Sequence, residues 1–283
     1  MKINISEDFN LKKIADSGQC FRWKMESENT CRVVAHSRIL HLTQATNRHT
    51  LILDCDAADF SVLWQPYLDL DTDYRAIRAA IPSDDIFLTT AAERGKGIRI
   101  LRQDPWETLI TFIISQRKNI PAIKTAVEAL ARAAGSPITS PAGETDFAFP
   151  TAQQIAAMDG DALAACSLGY REKYIRSVAA RFAAEDDPVG RLVTLPDEAL
   201  RRELIALPGV GPKVAACVML FGFHRLDAFP RDVWMNRALA DYYAKGYPAE
   251  AYAPYNGVMQ QYIFAYYREQ ATAPSFSGRR TRP

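Results

Sequence analysis

Residues 207–232 read LPGVGPKVAACVMLFGFHRLDAFPRD. The stretch opens on a turn in which Gly209 and Gly211 flank Val210, and Lys213 follows almost at once. Glycines carry no β-carbon, so the backbone N–H groups of such a turn can face an anion. A helix starting near Pro212 adds its positive end to the same place, and a phosphate is the natural guest. Lys213 is out of character there, because a helix N-terminus disfavours an ammonium and burial would push its pKa down further. A lysine so depressed is a nucleophile suited to Schiff-base chemistry. Asp232 stands nineteen residues later, where the Phe229-Pro230 loop re-enters a helix, and a carboxylate there can stabilise positive charge or move a proton. The plainer readings, a solvated first-turn lysine and an ordinary N-cap, stay open on this stretch alone.

The rest of the chain sets the frame. Its 283 residues leave room for a large core and two domains or subdomains. With 48% apolar and 24% charged residues, the composition is that of a globular protein. The net charge of +1 means that a polyanionic partner must be held by a local basic patch. Cys20, Cys31, Cys55, Cys166 and Cys217 are scattered without CxxC spacing, against a zinc site, an iron–sulfur cluster or a disulfide framework. The opening MKINISEDFN is not a signal peptide and no apolar run is long enough for a membrane. A soluble intracellular protein in a reducing compartment is expected, cytoplasmic or with the nucleoid if the cell is prokaryotic.

Outward from the hairpin, two textures appear. Residues 1–75 carry short runs (CFRWKME, TCRVVAH, RILHLTQ, TLILDC) broken by polar punctuation, which predicts an antiparallel meander. His36 and His41 read as strand-face residues, and none of the four histidines has metal-ligand spacing. From Asp73 onward the period becomes helical: YRAIRAAI, GKGIRILRQ, then DPWETLITFIISQ with Asp104 as N-cap, and PAIKTAVEALARAAG from Pro121 to Gly135. Residues 136–150 form the one clear loop, and Thr151 caps the next helix. Helices follow through GYREKYIRSVAARFAAE, PDEALRRELIAL, the hairpin, VWMNRALADYY and YNGVMQQYIFAYYRE, before a basic, frayed tail, SFSGRRTRP. The expected fold is therefore α+β, an N-terminal antiparallel β domain over 1–95 and an all-helical domain over 96–283.

Lys213 and Cys217 lie four apart and share a helix face, as do Gln260 and Phe264 on the last strong helix. An amide beside a ring suits a planar heterocycle, one stacking and the other bonding its edge, although a core phenylalanine with a boundary glutamine would look the same. Arg117 and Lys118, with Tyr170, Arg171 and Lys173, interleave cations and rings near helix ends. That mixture suits a nucleic-acid backbone and unstacked bases, or simply a solvated surface.

LPGVGPKVA followed by FPRDVW resembles the helix-hairpin-helix DNA glycosylases, with lysine and aspartate at that superfamily's catalytic spacing. More closely, SGQCFRW, ILRQDPWETLITFIIS, the FP-T at Phe149, LGYREKY, LPGVGPKVAAC and PYNGVMQQYIF resemble the 8-oxoguanine DNA glycosylases in the same order, over nearly the whole chain. The resemblance implies a bifunctional glycosylase and AP lyase acting on double-stranded DNA, a monomer with no membrane and no organic cofactor or redox metal. It allows a monovalent cation at the hairpin carbonyls. Lys213 then matches the attacking lysine and Asp232 the catalytic aspartate. Gly18 matches the glycine whose carbonyl accepts the N–H present only in the oxidised base. Cys217 and Phe264 match the residues that sandwich the flipped base, and Gln260 the one reading its Watson–Crick edge. Gly209, Val210 and Gly211 match the hairpin that grips DNA.

Departures from the pattern carry their own expectations. Arg171 and Tyr170 fit the residues that fill the gap and read the opposite cytosine. Arg117 stands where the family has an asparagine, and Ala122 where it has a second arginine, which implies a relaxed preference for the opposite base. Trp234 replaces a histidine, so one phosphate contact is lost or remade by the indole. Two rivals remain at this stage: a glycosylase for another damaged base, and a non-catalytic hairpin protein that only clamps DNA.

Overall fold

The computed structural model describes residues 1–5 and 8–272. Five strands, β1 (Lys2–Asn4), β2 (Trp23–Met25), β3 (Thr30–Ala35), β4 (Arg38–Gln44) and β5 (Thr50–Leu53), form one antiparallel sheet in the order β1-β5-β4-β3-β2. The meander is the expected one, and β1 adds itself to its free edge. Cys31 pairs with Leu42 and Val33 with Leu40, so one face of β3 and β4 is apolar and fully buried. Helix α1 (Leu11–Asp16), Trp64 and Tyr67 share the apolar core behind that face. His36 is a turn residue, not a strand-face one: with Ser37 it takes φ of 49° and 60° between paired Ala35 and Arg38. Two positive φ values are what a tight two-residue hairpin needs to follow the strand twist.

The helical part is built on α2 (Pro105–Ser115), α3 (Ile120–Ala134), α4 (Glu172–Ala183), α5 (Asp197–Ile205), α6 (Pro212–Phe221), α7 (Val233–Tyr242) and α8 (Asn256–Thr272). Asp104 caps α2 through Oδ1, which accepts from the Glu107 amide at 2.7 Å, and Thr151 with Gln154 forms a reciprocal capping box. Helix α2 is buried continuously from Thr108 to Ile114 and packs against α6, which makes this pair the centre of the helical core.

Three expectations on local structure fail. Residues 57–67 are helical, with Ala57–Asp59, Phe60–Trp64 and Gln65–Tyr67 in succession, because Asp56 caps the run and turns Trp64 and Tyr67 inward. GKGIRILRQ is not a helix. Gly97 takes φ of 88°, and the backbone beyond it is tied sideways, Ile100 N–H to the Tyr74 hydroxyl and Leu101 N–H to Gln19 Oε1, each at 2.8 Å. The 136–150 loop contains a two-stranded hairpin, β6 (Pro137–Thr139) and β7 (Thr145–Phe147). Strands of three residues are too short to show alternation, and this pair is fixed from outside. Arg32 on β3 bonds Glu144 at 2.5 Å and Asp146 at 2.7 Å, while buried Arg22 holds Glu128 at 2.9 Å and the Phe147 carbonyl at 2.8 Å. Ile86–Arg94, which packs on α8, is a further helix that the periodicity did not reveal. The basic tail 275–283 lies outside the described residues.

Candidate active site

Helix α5 ends at Ala206, and the chain turns through Leu207 to Gly211 into α6. Gly209 takes φ of 78°, and a β-carbon there would stand 2.6 Å from the Tyr174 ring. Only glycine meets both demands. Gly211, the N-cap of α6, has open space around it and no side chain to cap with, and Pro212 follows at N1. The amides of Lys213 and Val214 in the first turn therefore have no intrahelical acceptor, as an anion site requires. Val210 is buried and its N–H closes the turn onto the Leu207 carbonyl at 3.1 Å.

Lys213 is half-buried, its Nζ 5.5 Å from the centre of the Phe112 ring on α2. Cys217, one turn on, is buried. Burial pushes its thiol up to about 11, the Lys213 ammonium works in the opposite direction, and the Asp232 carboxylate raises it further. One buried sulfur thus feels both charged residues, and Lys213, Cys217 and Asp232 form a single electrostatic neighbourhood. Asp232 caps α7, its Oδ1 accepting from the Met235 amide at 2.8 Å. The plain N-cap reading is correct, and the cap holds the carboxylate in one orientation.

A second group lies between the chain's ends. Gly18 takes φ of 77°, and a β-carbon on it would lie 3.9 Å from Cε1 of Phe264 on α8. Phe264 is half-buried with the Arg268 guanidinium 5.2 Å from its ring centre, and Gln260 is buried one turn before it, accepting from Gln261 Nε2 at 2.9 Å. A cleft of about 750 Å³ opens beside Phe264, walled also by Asp16, Ser17 and Ile98. Neither Lys213 nor Asp232 lines it, so it is not the reacting centre. Gln19, to which the sequence reading gave no role, places Gly18. Its Nε2 bonds Ser17 Oγ at 2.9 Å and the Arg99 carbonyl at 2.8 Å, and its own carbonyl accepts from Gln103 at 2.7 Å. A polar residue inside the otherwise apolar QCF run was the available signal.

The expected DNA-facing residues divide. Arg117 is exposed at a positive φ of 52°, and Tyr170 is 48% exposed. Arg171 is not presented outward: it is buried, with Nη1 on the Leu168 carbonyl at 3.1 Å, Nη2 on the Gln116 carbonyl, and its guanidinium 4.4 Å from the Tyr170 ring centre. Trp234, half-buried in the first turn of α7, packs edge-on to Tyr267 at 6.4 Å under the Arg237 guanidinium. Among the described residues no group of three or more His, Cys, Asp or Glu side chains could hold a metal ion, and no helix is long and apolar enough to cross a membrane.

Comparison with known proteins places the chain in a family. Residues 2–109 match the family described as 8-oxoguanine DNA glycosylase, N-terminal domain, and residues 110–250 the HhH-GPD superfamily of base excision DNA repair proteins. The chain is 32% identical to the Saccharomyces cerevisiae N-glycosylase/DNA lyase over 268 residues, 86% of this chain and 70% of that protein. The solved structure of MBOgg1 with a low-affinity DNA ligand superposes with a TM-score of 0.89 at 37% identity, covering 95% of this chain and 96% of that one. The Clostridium acetobutylicum 8-oxoguanine glycosylase/lyase, bound to double-stranded DNA with cytosine opposite 8-oxoguanine, gives 0.85 at 30% identity, covering 96% and 98%. The chain belongs to the 8-oxoguanine DNA glycosylase family, within the helix-hairpin-helix superfamily of base excision repair proteins.

Proposed function

We propose that this protein excises 8-oxoguanine from duplex DNA and then nicks the strand, with Lys213 as nucleophile. The observation that carries the reading is Lys213 in the first turn of α6, directly behind a glycine turn that no side chain caps, with buried Cys217 one turn on. The hairpin amides hold the backbone while the damaged nucleotide is rotated out of the stack. Lys213, once its ammonium proton has passed to solvent, attacks C1′ of the sugar through the amine; the bond to the base nitrogen breaks, and that nitrogen leaves with the bonding pair and takes up the proton that the new C1′–N bond releases. Asp232 faces the positive charge that develops on the sugar. Loss of the ring oxygen from C1′ gives the Schiff base, and removal of a C2′ proton expels the 3′ phosphate. Cys217 and Phe264 would sandwich the base, Gln260 would read its pairing edge, and the Gly18 carbonyl would accept the N–H that guanine lacks.

Opposite-base preference is relaxed in this reading, because Arg117 and Ala122 replace the expected asparagine and arginine and Arg171 is engaged inward. A monovalent cation at the hairpin fits the turn: the Leu207 and Gly209 carbonyls each accept one hydrogen bond and each keeps a second lone pair. Borohydride trapping on a duplex with one 8-oxoguanine tests the whole. A covalent adduct with lesion DNA and wild-type protein, absent with undamaged DNA and with Lys213→Gln, is the expected result. Nicking retained by Lys213→Gln would remove the lysine from its role, and tight binding without any adduct would leave a DNA clamp. Cleavage opposite cytosine far faster than opposite the other bases would overturn the relaxed preference.

A further inference from the structure

The crest of the hairpin is held by residues that belong to the turns expected at the DNA gap. Gln116, which follows the last residue of α2, donates Nε2 to the Gly209 carbonyl at 2.9 Å and to the Ile113 carbonyl at 3.1 Å. The Gln116 carbonyl in turn accepts Arg171 Nη2. From the other side, the ring of Tyr174 lies under Gly209, and that ring meets the Tyr170 ring edge-on at 6.2 Å. Tyr170 carries the Arg171 guanidinium on its face, 4.4 Å from the ring centre. These five contacts close a ring: Arg171 to Gln116, Gln116 to Gly209, Gly209 on Tyr174, Tyr174 against Tyr170 and so back to Arg171. Arg117, exposed at positive φ, is the next residue after Gln116 and rides on the same ring.

Gly209 lies outside any helix or strand, so no regular ladder bond holds its carbonyl, and Gln116 supplies the donor. We propose that Gln116 is a positioning residue. Its amide couples the turns that expose Arg117 and Tyr170 to the hairpin that carries Lys213, so that the nucleophile is placed when those turns are seated on DNA. The inference rests on Lys213 being the nucleophile. One neutral hydrogen bond is a small part of the fold's stability, whereas a hairpin free to shift moves the attacking amine relative to the sugar carbon.

Two variants test this, Gln116→Met, which keeps length without a donor, and Gln116→Glu. Single-turnover excision, borohydride trapping and affinity for a duplex with one 8-oxoguanine are measured together. Gln116→Met is expected to excise at least about 10-fold more slowly, since small misplacements are costly to rate, with a Kd within about threefold of wild type because the phosphate contacts remain. Gln116→Glu is expected to be equally slow at neutral pH and to recover relative to wild type as pH falls, when the protonated acid donates again. A structural role alone would lower stability and binding together and would not recover. Unchanged rates in both variants, a loss of affinity equal to the loss of rate, or no recovery of Gln116→Glu at low pH each overturn the proposal. If Gln116→Met does not fold, the pH ratio of Gln116→Glu decides. Wild-type protein that forms no adduct would instead overturn the lysine reading itself.

Discussion

The two hairpin glycines make opposite demands on a methyl group, and the contrast can be measured. Gly209→Ala meets two costs. Its φ of 78° lies in the left-handed region, which costs an L-residue about 1–2 kcal/mol. Its new β-carbon would stand 2.6 Å from the Tyr174 ring, and overpacking of that kind costs about 1–3 kcal/mol. A total of about 2–5 kcal/mol follows, the two contributions simply added. In a Tyr174→Ala background the ring contacts disappear while the β-carbon of residue 174 stays 2.8 Å away, so the cost should fall below that sum and stay above the about 1–2 kcal/mol of the left-handed backbone. Gly211→Ala is the control: with φ of −89° and ψ of 177° and nothing within 4 Å of the new carbon, the fold should notice it by less than about 0.5 kcal/mol. The same methyl would stand where the backbone must approach a phosphate, so Gly211→Ala should bind lesion DNA more weakly while melting like wild type. Urea denaturation of the four variants in a double-mutant cycle, with fluorescence anisotropy for DNA affinity, supplies every number. Gly209→Ala as stable as Gly211→Ala, or a Gly209 cost that Tyr174→Ala leaves untouched, would refute the steric reasoning.

Three further outcomes are expected. Gln19→Leu would leave the Leu101 N–H and Arg99 carbonyl without their buried partner, at a cost of about 2–4 kcal/mol by chemical denaturation; a change under 0.5 kcal/mol would mean that water replaces the amide there. Cys217, pushed up to about 11 by burial, should resist iodoacetamide in the native protein at pH 7.5 and label only on unfolding, so peptide mapping that finds it modified alongside half-exposed Cys55 would contradict its placement. His41 is shifted upward: burial works to lower its pKa, but hydrogen bonds to Glu144 and Glu26 outweigh that. Its tie to the β6–β7 hairpin is therefore complete below the ordinary histidine value and is lost as pH rises through the raised one. Partly exposed, the tie is screened and contributes less than about 1 kcal/mol. His41→Gln should thus lower Tm more at pH 6 than at pH 8.5, and an equal loss at both would count against the tie.

Local chemistry was legible in the sequence and long-range partnership was not. The glycine turn, Pro212 at N1, Asp232 and Thr151 as caps, and the alternation of β3 and β4 each follow from neighbours a few residues away, and the structure has them all. GKGIRILRQ has helical spacing, but its amides are claimed by Gln19 and Tyr74, which come from far upstream. The 136–150 hairpin needs Arg22 and Arg32 from the sheet before its three-residue strands are worth forming. Arg171 was placed at the right turn. The direction of its guanidinium depends on a carbonyl 55 residues earlier, which no local pattern encodes.

The pairing of Gly18 with Phe264 has a consequence for how the protein comes into being. On a ribosome the residues leave in order, so the hairpin and Lys213 emerge while α8 is still unmade. The wall expected to tell a damaged base from a normal one is finished only when Gly18 meets Phe264, 246 residues later. A chain cut short before α8 would carry Lys213 and lack both Gln260 and Phe264. Selection is thereby tied to α8 and arrives later in synthesis than the hairpin does.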